Sequence, residues 1–328
     1  MGWFVPDFGR ASVISEPDPP KIREILLSAP SNCIHVVGGF RGYKLGATIV
    51  QHCIQHGLRV GLLTEGADPR GVQGMLRRFL YSIHLAHWRK SLAFIAAMGT
   101  NGVRWFEQCG FPEDRLFPFM YVTERPVQHE PIQPQGRSIV EFAYLGQCVK
   151  RKGVDLVIRA LALLRELDWR FTVIGDGPGK AKWQQLAEQL DIDGRLCFEN
   201  AMSHKDALEI VAKMDFLVLP SRFDGWGAVV NEALMQGVPV ICSVQCGAWE
   251  IVRRSDYGGV YDALDVQELT RVLESQIEIG VNRSATRRRI VDWSKCLEGP
   301  IAAEYFEKMM IHTFHRGPRC LPPWEQRS

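Results

Sequence analysis

No run of about 18 consecutive apolar residues occurs in the sequence, so nothing in it predicts a helix that crosses a membrane. The N-terminal stretch MGWFVPDFGR lacks a charged start and an apolar core, and we therefore expect no secretory signal in it. No closely spaced Cys and His residues have the spacing of zinc ligands, which argues against a structural zinc site.

A disulfide framework and an excess of one charge are also missing. The nine Cys are an odd number, and several lie in apolar runs, which is typical of reduced, buried thiols: Cys33, Cys53, Cys197 and Cys242. We therefore expect a cytoplasmic protein. The net charge of only +2 argues neither for nor against an acidic partner. With 328 residues, 46% of them hydrophobic, the chain is long enough to form two domains with buried cores.

One stretch, from Phe216 to Ile241, organises the rest of the chain: FLVLPSRFDGWGAVVNEALMQGVPVI. It predicts a buried strand, a loop broken by Pro and Gly, a helix from about Ala228 to Gln236 and a second buried strand from Val238. This order points the free N–H groups of the helix start toward the carboxyl end of a parallel sheet, where open α/β folds bind anionic ligands.

Two carboxylates lie in this stretch. Asp224, just before the helix, is placed to accept hydrogen bonds from ligand hydroxyls, and Glu232, further into the helix, is placed to accept two hydroxyls of a ribose. The residues alone leave a plainer interpretation open, in which Asp224 caps the helix and Glu232 is an ordinary solvated helix residue.

The residues around these carboxylates resemble those of retaining glycosyltransferases of the GT-B fold, the large group known as family 4 or group 1. The signature of that family is a Glu, seven residues and a second Glu, preceded by Pro-Ser and followed by Ala, Gly and a Pro-Val strand. This sequence has the signature with Asp224 in place of the first Glu, a shorter side chain with the same charge. The matching residues are Pro220, Ser221, Glu232, Ala233, Gly237, Pro239 and Val240.

The resemblance implies an α/β protein with two Rossmann-like domains, whose parallel sheets face a central cleft and of which the first is reduced. It implies an acceptor-side domain over 1–130, a nucleotide-sugar-binding domain over 138–297, and a helix over 298–314 that crosses back to the first domain. The Pro-rich segment 124–137 is the predicted linker. We expect the tail from His315 to be disordered.

The same resemblance implies retaining hexosyl transfer from a UDP- or GDP-linked sugar to a saccharide or lipid-linked acceptor, in surface polysaccharide or glycoconjugate synthesis. It implies no metal, no cofactor beyond the nucleotide-sugar co-substrate, and no nucleic acid partner. Two alternatives stay open: a non-catalytic nucleotide-sugar-binding or scaffold protein, and a nucleotide-sugar epimerase on the same fold.

Site residues follow from the resemblance one by one. Asp224 and Glu232 are the predicted catalytic carboxylates, and Lys152 matches the family's Lys that contacts the donor diphosphate. Gln147 replaces an Arg that is usual in the family, so Lys150 and Arg151 are candidates to compensate for that cation. The predicted donor-binding residues are Gly146, Gln147, Arg151, Glu199, Asn200, Gly225, Trp226, Gly227 and Ala228.

Two glycine-rich turns follow predicted strands. The first, GGFRG, makes Gly38, Gly39 and Arg41 candidates for a phosphate or sugar loop on the acceptor side, with Glu65 after the next strand; a tight turn with a solvated Arg is an open alternative. The second, GDGPG at 175–179, lacks the glycine spacing of a dinucleotide site, and we interpret it as structural.

The segment from Gly71 to Lys90 is basic and aromatic with helical spacing. An apolar stripe is predicted on it, with the basic residues outside the stripe: Leu76, Leu80, Ile83 and Trp88. Such a helix either lies on an anionic membrane surface or packs its apolar face into a domain core. His84 and His87 lie one turn apart, but no further ligand is evident, so we expect no metal there.

Overall fold

The computed structural model describes residues 14, 18–40, 44–126, 139–262, 264–279 and 283–326. The chain divides into two compact units: the first ends at Phe119 and also contains Ile311–Gly317, and the second runs from Met120 to Met310 and resumes at Pro318. The predicted linker lies largely outside the described residues, so the domain limits expected from the sequence stay predictions.

In its described part, the first unit is a four-stranded parallel sheet in the order β1-β2-β3-β4 with helices between the strands. The strands are β1 Ile34–Val37, β2 Arg59–Thr64, β3 Leu92–Met98 and β4 Leu116–Phe119; the helices are α1 Pro19–Ser28, α2 Lys44–Gln55, α3 Gly71–Trp88 and α4 Gly99–Gln108.

Helix α3 packs on this unit through a face that the sequence did not predict. Leu85 is fully buried, Tyr81 contacts Trp105 at 5.3 Å between ring centroids, and Trp88 contacts Phe40 at 5.2 Å. The predicted stripe is therefore wrong as a single face, because Trp88 packs against the core whereas Leu76 and Ile83 are exposed. The large aromatic rings form the docking face because they bury the most apolar area.

In its described part, the second unit is a six-stranded parallel sheet in the order β10-β9-β8-β5-β6-β7. Its strands are β5 Val140–Leu145, β6 Trp169–Ile174, β7 Leu196–Glu199, β8 Phe216–Leu219, β9 Val240–Ser243 and β10 Gly258–Tyr261. Its helices are α5 Val154–Ala162, α6 Lys180–Gln189, α7 His204–Val211, α8 Ala228–Met235, α9 Trp249–Arg254, α10 Val266–Ile279, α11 Arg283–Trp293 and α12 Gly299–His315, whose last residues belong to the first unit.

The strand order of this sheet reverses at β5: β6 and β7 are added on one side of it, and β8, β9 and β10 on the other. Strand β5 pairs with β6 on one side and with β8 on the other, in the register Phe142↔Phe216. At such a switch point the loops after the two central strands diverge from the sheet edge and leave room for a ligand. The loops that follow β5 and β8 are the ones that carry Lys152 and Asp224.

Two expectations about single segments are wrong. The tail is not disordered over its described part, since Pro323–Glu325 forms a helical turn and Trp324, 1% exposed, contacts Trp226 at 6.2 Å. The indole of Trp324 buries its apolar surface against Trp226, and this contact fixes the conformation of the surrounding chain. Of the four Cys expected to be buried, Cys53 and Cys242 are buried, whereas Cys33 is only half-buried and Cys197 is exposed.

None of the described helices is long and apolar enough to cross a membrane.

The loops after β5 and β8 come so close together that position 153 must be a glycine. Gly153 has φ +72°, and a Cβ built there would lie 2.0 Å from the carbonyl oxygen of Pro220. We predict that Gly153→Ala lowers the free energy of unfolding by about 1–3 kcal/mol, because it adds backbone strain and separates the loops. Thermal denaturation measures this change.

Gly194→Ala is the matched control, because a Cβ at Gly194 meets nothing within 4 Å. It should change the free energy of unfolding by less than about 0.5 kcal/mol. Equal melting temperatures for the two variants would show that the close approach of Gly153 to Pro220 does not matter for stability.

Candidate functional site

The site begins with an ion pair between the loops that follow β5 and β8. Lys152 Nζ donates to Asp224 Oδ2, and the guanidinium of Arg151 lies 3.7 Å from the other carboxylate oxygen. The side chains of Lys152 and Asp224 are only 14% and 11% exposed. Two predicted catalytic residues that are 72 positions apart in the sequence are thus in direct contact.

The backbone and a hydroxyl fix the position of Asp224. Its N–H donates to the Gln245 carbonyl at 3.1 Å, and its own carbonyl accepts from the N–H of Gly247 at 3.0 Å. Ser221 Oγ donates to the carboxylate at 3.4 Å. Asp224 therefore does not cap α8, and the plainer interpretation of this residue is wrong.

Arg222 ties the basic turn 150–152 to the β8 loop. Its guanidinium donates to both carboxylate oxygens of Asp155 at 2.7 Å each and also to the carbonyl of Lys150 at 2.9 Å. Its backbone N–H donates to the carbonyl of Arg151 at 2.8 Å. A planar guanidinium with several parallel donors suits such a clamp, which holds Arg151 and Lys152 beside Asp224.

The start of α8 carries no side-chain cap. Its N-cap residue is Gly227 in the left-handed conformation (φ 95°), and no side chain of the described residues accepts from the first turn. The first N–H groups of a helix have no partner within the helix, and they favour an anion. The predicted donor-binding residues Gly225, Gly227 and Ala228 therefore lie at a helix start suited to an anionic group.

Glu232 is buried within α8 rather than solvated. It is 5% exposed, and one of its carboxylate oxygens shares a hydrogen bond with His204 Nε2 at 3.0 Å. That hydrogen bond raises the pKa of His204, because the carboxylate favours the imidazolium. A buried carboxylate with one partner keeps accepting capacity for ligand hydroxyls.

The indole of Trp226 is buried and belongs to the framework of the site. Its Nε1–H donates to Asn231 Oδ1 at 3.0 Å, and the Asn231 amide donates to the Tyr121 carbonyl at 2.9 Å. Trp226 is 1% exposed, so its indole is not available to a ligand. The chain of hydrogen bonds anchors the loop before α8 to α8 itself.

Close packing explains the glycines of the second glycine-rich turn. A Cβ at Gly175 would lie 2.0 Å from the carbonyl oxygen of Gly146, and one at Gly177 would lie 2.6 Å from that of Cys148. The turn thus packs directly on the loop after β5, which contains the predicted donor-binding residues Gly146 and Gln147. This contact favours the structural interpretation of the turn.

Lys180 organises the other predicted donor-binding pair. Its ammonium donates to the carbonyl of Glu199 at 2.9 Å, to Asn200 Oδ1 at 2.8 Å and to Asp176 Oδ1 at 2.9 Å. The N–H of Ala201 donates to the other oxygen of Asp176. These bonds fix the segment after β7, where Glu199 and Asn200 lie at the carboxyl edge of the same sheet.

The residues predicted for the acceptor side lie in the first unit. Gly38 and Gly39 follow β1 and Glu65 follows β2; because β1 and β2 are parallel neighbours, all three lie at one sheet edge. Gly39 has φ +82°, and its carbonyl packs so close to α2 that a Cβ at Gly46 would lie 2.2 Å from it. Arg41 lies outside the described residues.

No cluster of three or more His, Cys, Asp or Glu side chains suited to a metal ion occurs among the residues whose structure is described. The Nδ1 atoms of His84 and His87 contact the carbonyls of Leu80 and Ile83 within α3.

Sequence reasoning missed His204, Asn231 and Arg222. His204 is 28 positions from Glu232 and only opens a helix, so no local pattern marks it. Asn231 lies beside Glu232 in the central stretch and is fully buried. An Asn in a helix that is apolar apart from Asn231 and Glu232 was the one available signal, because a buried amide requires partners.

We predict that the pKa of His204 lies above the ordinary value of about 6.5 and falls toward it in Glu232→Gln, which removes the anionic partner. The pair accordingly stabilises the fold fully below about pH 6.5, and this contribution is lost as the pH rises through the raised pKa. NMR titration of the imidazole measures the shift, and His204→Gln identifies its signal.

Glu188→Gln serves as the control, because Glu188 is exposed on α6 and has no role at this pair. It should leave the titration of His204 unchanged. A pKa of His204 at or below its ordinary value in the unchanged chain would contradict the hydrogen bond with Glu232.

Comparison with known proteins supports the motif assignment. The family model described as "Glycosyl transferases group 1" matches residues 134–291. An uncharacterized glycosyltransferase of Methanocaldococcus jannaschii is 28% identical over 288 residues, which cover 78% of this chain and 77% of that protein.

Other curated relatives match over a shorter region. A GDP-mannose-dependent alpha-(1-6)-phosphatidylinositol monomannoside mannosyltransferase of Mycolicibacterium smegmatis is 32% identical over 135 residues, which cover 38% of this chain and 35% of that protein. Granule-bound starch synthase 1 of Ipomoea batatas is 28% identical over 153 residues, or 43% of this chain and 24% of the synthase. Against these two proteins the match spans about a third and a quarter of the relative's length.

Solved structures share the fold at low sequence identity. The Anabaena protein HepE in complex with UDP has a TM-score of 0.70 at 15% identity, covering 88% of this chain and 81% of HepE. The apo form of the lipopolysaccharide outer core galactosyltransferase WaaB has a TM-score of 0.64 at 16% identity, covering 89% and 78%. The resemblance indicated by the motifs is therefore confirmed: the chain has the GT-B fold, and its residues 134–291 match the model of the glycosyl transferases group 1 family.

Proposed function

We propose that the chain transfers a hexose from a nucleotide-diphosphate sugar to a saccharide or lipid-linked acceptor with retention of configuration. The observation that carries the proposal is the contact of Lys152 with Asp224 beside the uncapped start of α8. A cation, a helix start and a hydroxyl-binding carboxylate in one place suit a sugar whose leaving group is a diphosphate.

The diphosphate is proposed to lie against Lys152 and the first N–H groups of α8. Lys152 supplies a point charge, and the helix dipole supplies a fixed partial charge that needs no reorganisation during bond cleavage. Arg151, 46% exposed, is the proposed substitute for the cation that the family usually has at Gln147. Because these groups balance the charge of the leaving diphosphate, we propose a reaction that requires no metal.

The two carboxylates are proposed to bind different sugars. Glu232 would accept the hydroxyls of the ribose, a role supported by its buried position and its single described partner, His204. Asp224 would accept hydroxyls of the transferred hexose. When the diphosphate binds Lys152, the ammonium is shared between two anions, and the Asp224 oxygen facing it becomes available to a sugar hydroxyl.

The segment after β7 is proposed to meet the nucleobase through the backbone of Glu199 and Asn200, held in position by Lys180. We propose a UDP- or GDP-linked donor. The M. smegmatis relative is named for GDP-mannose, and the structure of HepE contains UDP, so both bases occur among similar proteins.

The reaction is proposed to proceed on one face of the sugar, with departure of the diphosphate and attack of the acceptor on the same side. The protein then orients the two substrates and supplies no nucleophile of its own. The acceptor side is proposed to include Gly38, Gly39, Arg41 and Glu65. The proposed setting is cytoplasmic synthesis of a surface polysaccharide or glycoconjugate.

Glu232→Gln is predicted to weaken donor binding about tenfold or more, because it replaces charge-assisted hydrogen bonds to the ribose by neutral ones. Isothermal titration with UDP, GDP and their glucose and mannose conjugates measures the affinity. Glu188→Gln, on the exposed surface of α6, is the control and should bind like the unchanged chain. Equal donor affinities for the unchanged chain and for both variants would show that Glu232 does not take part in donor binding.

Lys152→Met is predicted to lower kcat/KM about 100-fold or more, because it removes the cation that stabilises the leaving diphosphate. Lys205→Met, exposed on α7, is the control. The assay follows transfer with the best donor of the panel, and NMR of the product reads the anomeric configuration. Activity that survives EDTA is expected.

Each other outcome identifies an alternative. Donor affinity without transfer or hydrolysis, tested over a panel of acceptors, would favour the nucleotide-sugar-binding protein. Conversion of the donor into its epimer would favour the epimerase. A product of inverted configuration would contradict retention.

A further inference from the structure

Helix α3 has two apolar faces, and the fold uses only one of them. The inner face packs on the first unit through Tyr81, Leu85 and Trp88, as the ring contacts with Phe40 and Trp105 show. A helix on the surface of a soluble domain normally carries charged or polar residues opposite such a face.

The outer face of α3 is instead a continuous apolar stripe, made of residues at the helical spacing i, i+3, i+4, i+7 and i+11. Its members, with exposed fractions, are Val72 at 81%, Met75 at 61%, Leu76 at 57%, Phe79 at 62% and Ile83 at 43%. Single exposed apolar residues are common, but a contiguous exposed stripe indicates a binding surface.

The charged residues of α3 and of the two positions that follow it all have one sign. From Gly71 to Lys90 there are four basic residues and no Asp or Glu, which gives a formal charge of +4: Arg77, Arg78, Arg89 and Lys90. Arg78, Arg89 and Lys90 are exposed, and Arg77 donates to the carbonyl of Asp68 at 3.1 Å. An apolar face on a helix whose own formal charges are all positive fits an anionic partner.

Length and charge decide how α3 would meet a bilayer. The helix has 18 residues, about 27 Å at 1.5 Å per residue, but it carries two Arg and is docked on the domain along its whole inner face. It therefore suits the interfacial plane, with the apolar stripe among the upper acyl chains and the cations at the headgroups.

We propose that α3 is a membrane-surface helix, which binds the first unit peripherally to an anionic lipid bilayer through its apolar stripe and its flanking cations. The insertion of Leu76 and Phe79 supplies the apolar part of the binding, and Arg78 with Arg89 supplies its dependence on lipid charge. This binding does not depend on the donor site and is measured without a nucleotide-sugar.

Vesicle flotation of the full chain tests the proposal. We expect the protein to float with vesicles of phosphatidylcholine and phosphatidylglycerol at 2:1 and to bind vesicles of phosphatidylcholine alone about tenfold less. Raising the salt concentration from 0.05 M to 0.5 M should weaken binding to the anionic vesicles, because the ions screen the cations. Equal binding to both vesicle types, or binding to neither, would overturn the proposal.

Two double variants separate the apolar and the charged contributions. Leu76→Gln with Phe79→Gln should reduce flotation about tenfold or more at both salt concentrations, whereas Arg78→Gln with Arg89→Gln should reduce it mainly at low salt. The controls are Leu163→Gln and Arg170→Gln, exposed positions on the second unit. Control variants that lose as much flotation as the α3 variants would contradict a role for α3.

The same variants exclude a protein partner and a folding defect. Their melting temperatures and their affinity for the donor should equal those of the unchanged chain, since the apolar stripe lies outside the core. Sedimentation velocity measures self-association. Concentration-dependent dimers that disappear in Leu76→Gln with Phe79→Gln, without vesicle binding by the unchanged chain, would assign the stripe to a second copy instead.

Discussion

The contact between the loops after β5 and β8, closed by the ion pair of Lys152 with Asp224, is the constraint on which the proposed site depends. A largely buried carboxylate needs a cation close by, since an unpaired charge in this environment is costly. Gly153 permits the backbone approach, and Arg222 with Asp155 holds the basic turn in place. The strand order then places this pair at the switch point of the sheet, beside the start of α8.

Because the ion pair is already formed in the protein, an anionic ligand would redistribute an existing charge rather than introduce one. A diphosphate on Lys152 would weaken the hold of the ammonium on Asp224 and so prepare that carboxylate for the sugar. The backbone bonds of Asp224 to Gln245 and Gly247 keep it in place throughout. The proposed site would therefore be preorganised for charge that develops on the leaving group, as electrostatic catalysis requires.

The central stretch was predictable because its signals are local. Pro and Gly residues delimit the loop, and the apolar runs indicate β8 and β9. The end of α8 was predicted to within one residue. The partners of the carboxylates were not predictable, since His204 and Lys152 lie 28 and 72 positions from Glu232 and Asp224. The same limit applies to α3, where periodicity showed an amphipathic helix but only packing showed that Trp88 faces the core and Phe79 faces outward.

A crystal structure of the chain with an intact UDP- or GDP-sugar tests the central claim most directly. The diphosphate is expected within hydrogen-bond distance of Lys152 Nζ and the first N–H groups of α8, with the ribose hydroxyls on Glu232 and a hexose hydroxyl on Asp224. A bound donor whose diphosphate lies away from Lys152, with the ion pair to Asp224 unchanged, would contradict the proposed site.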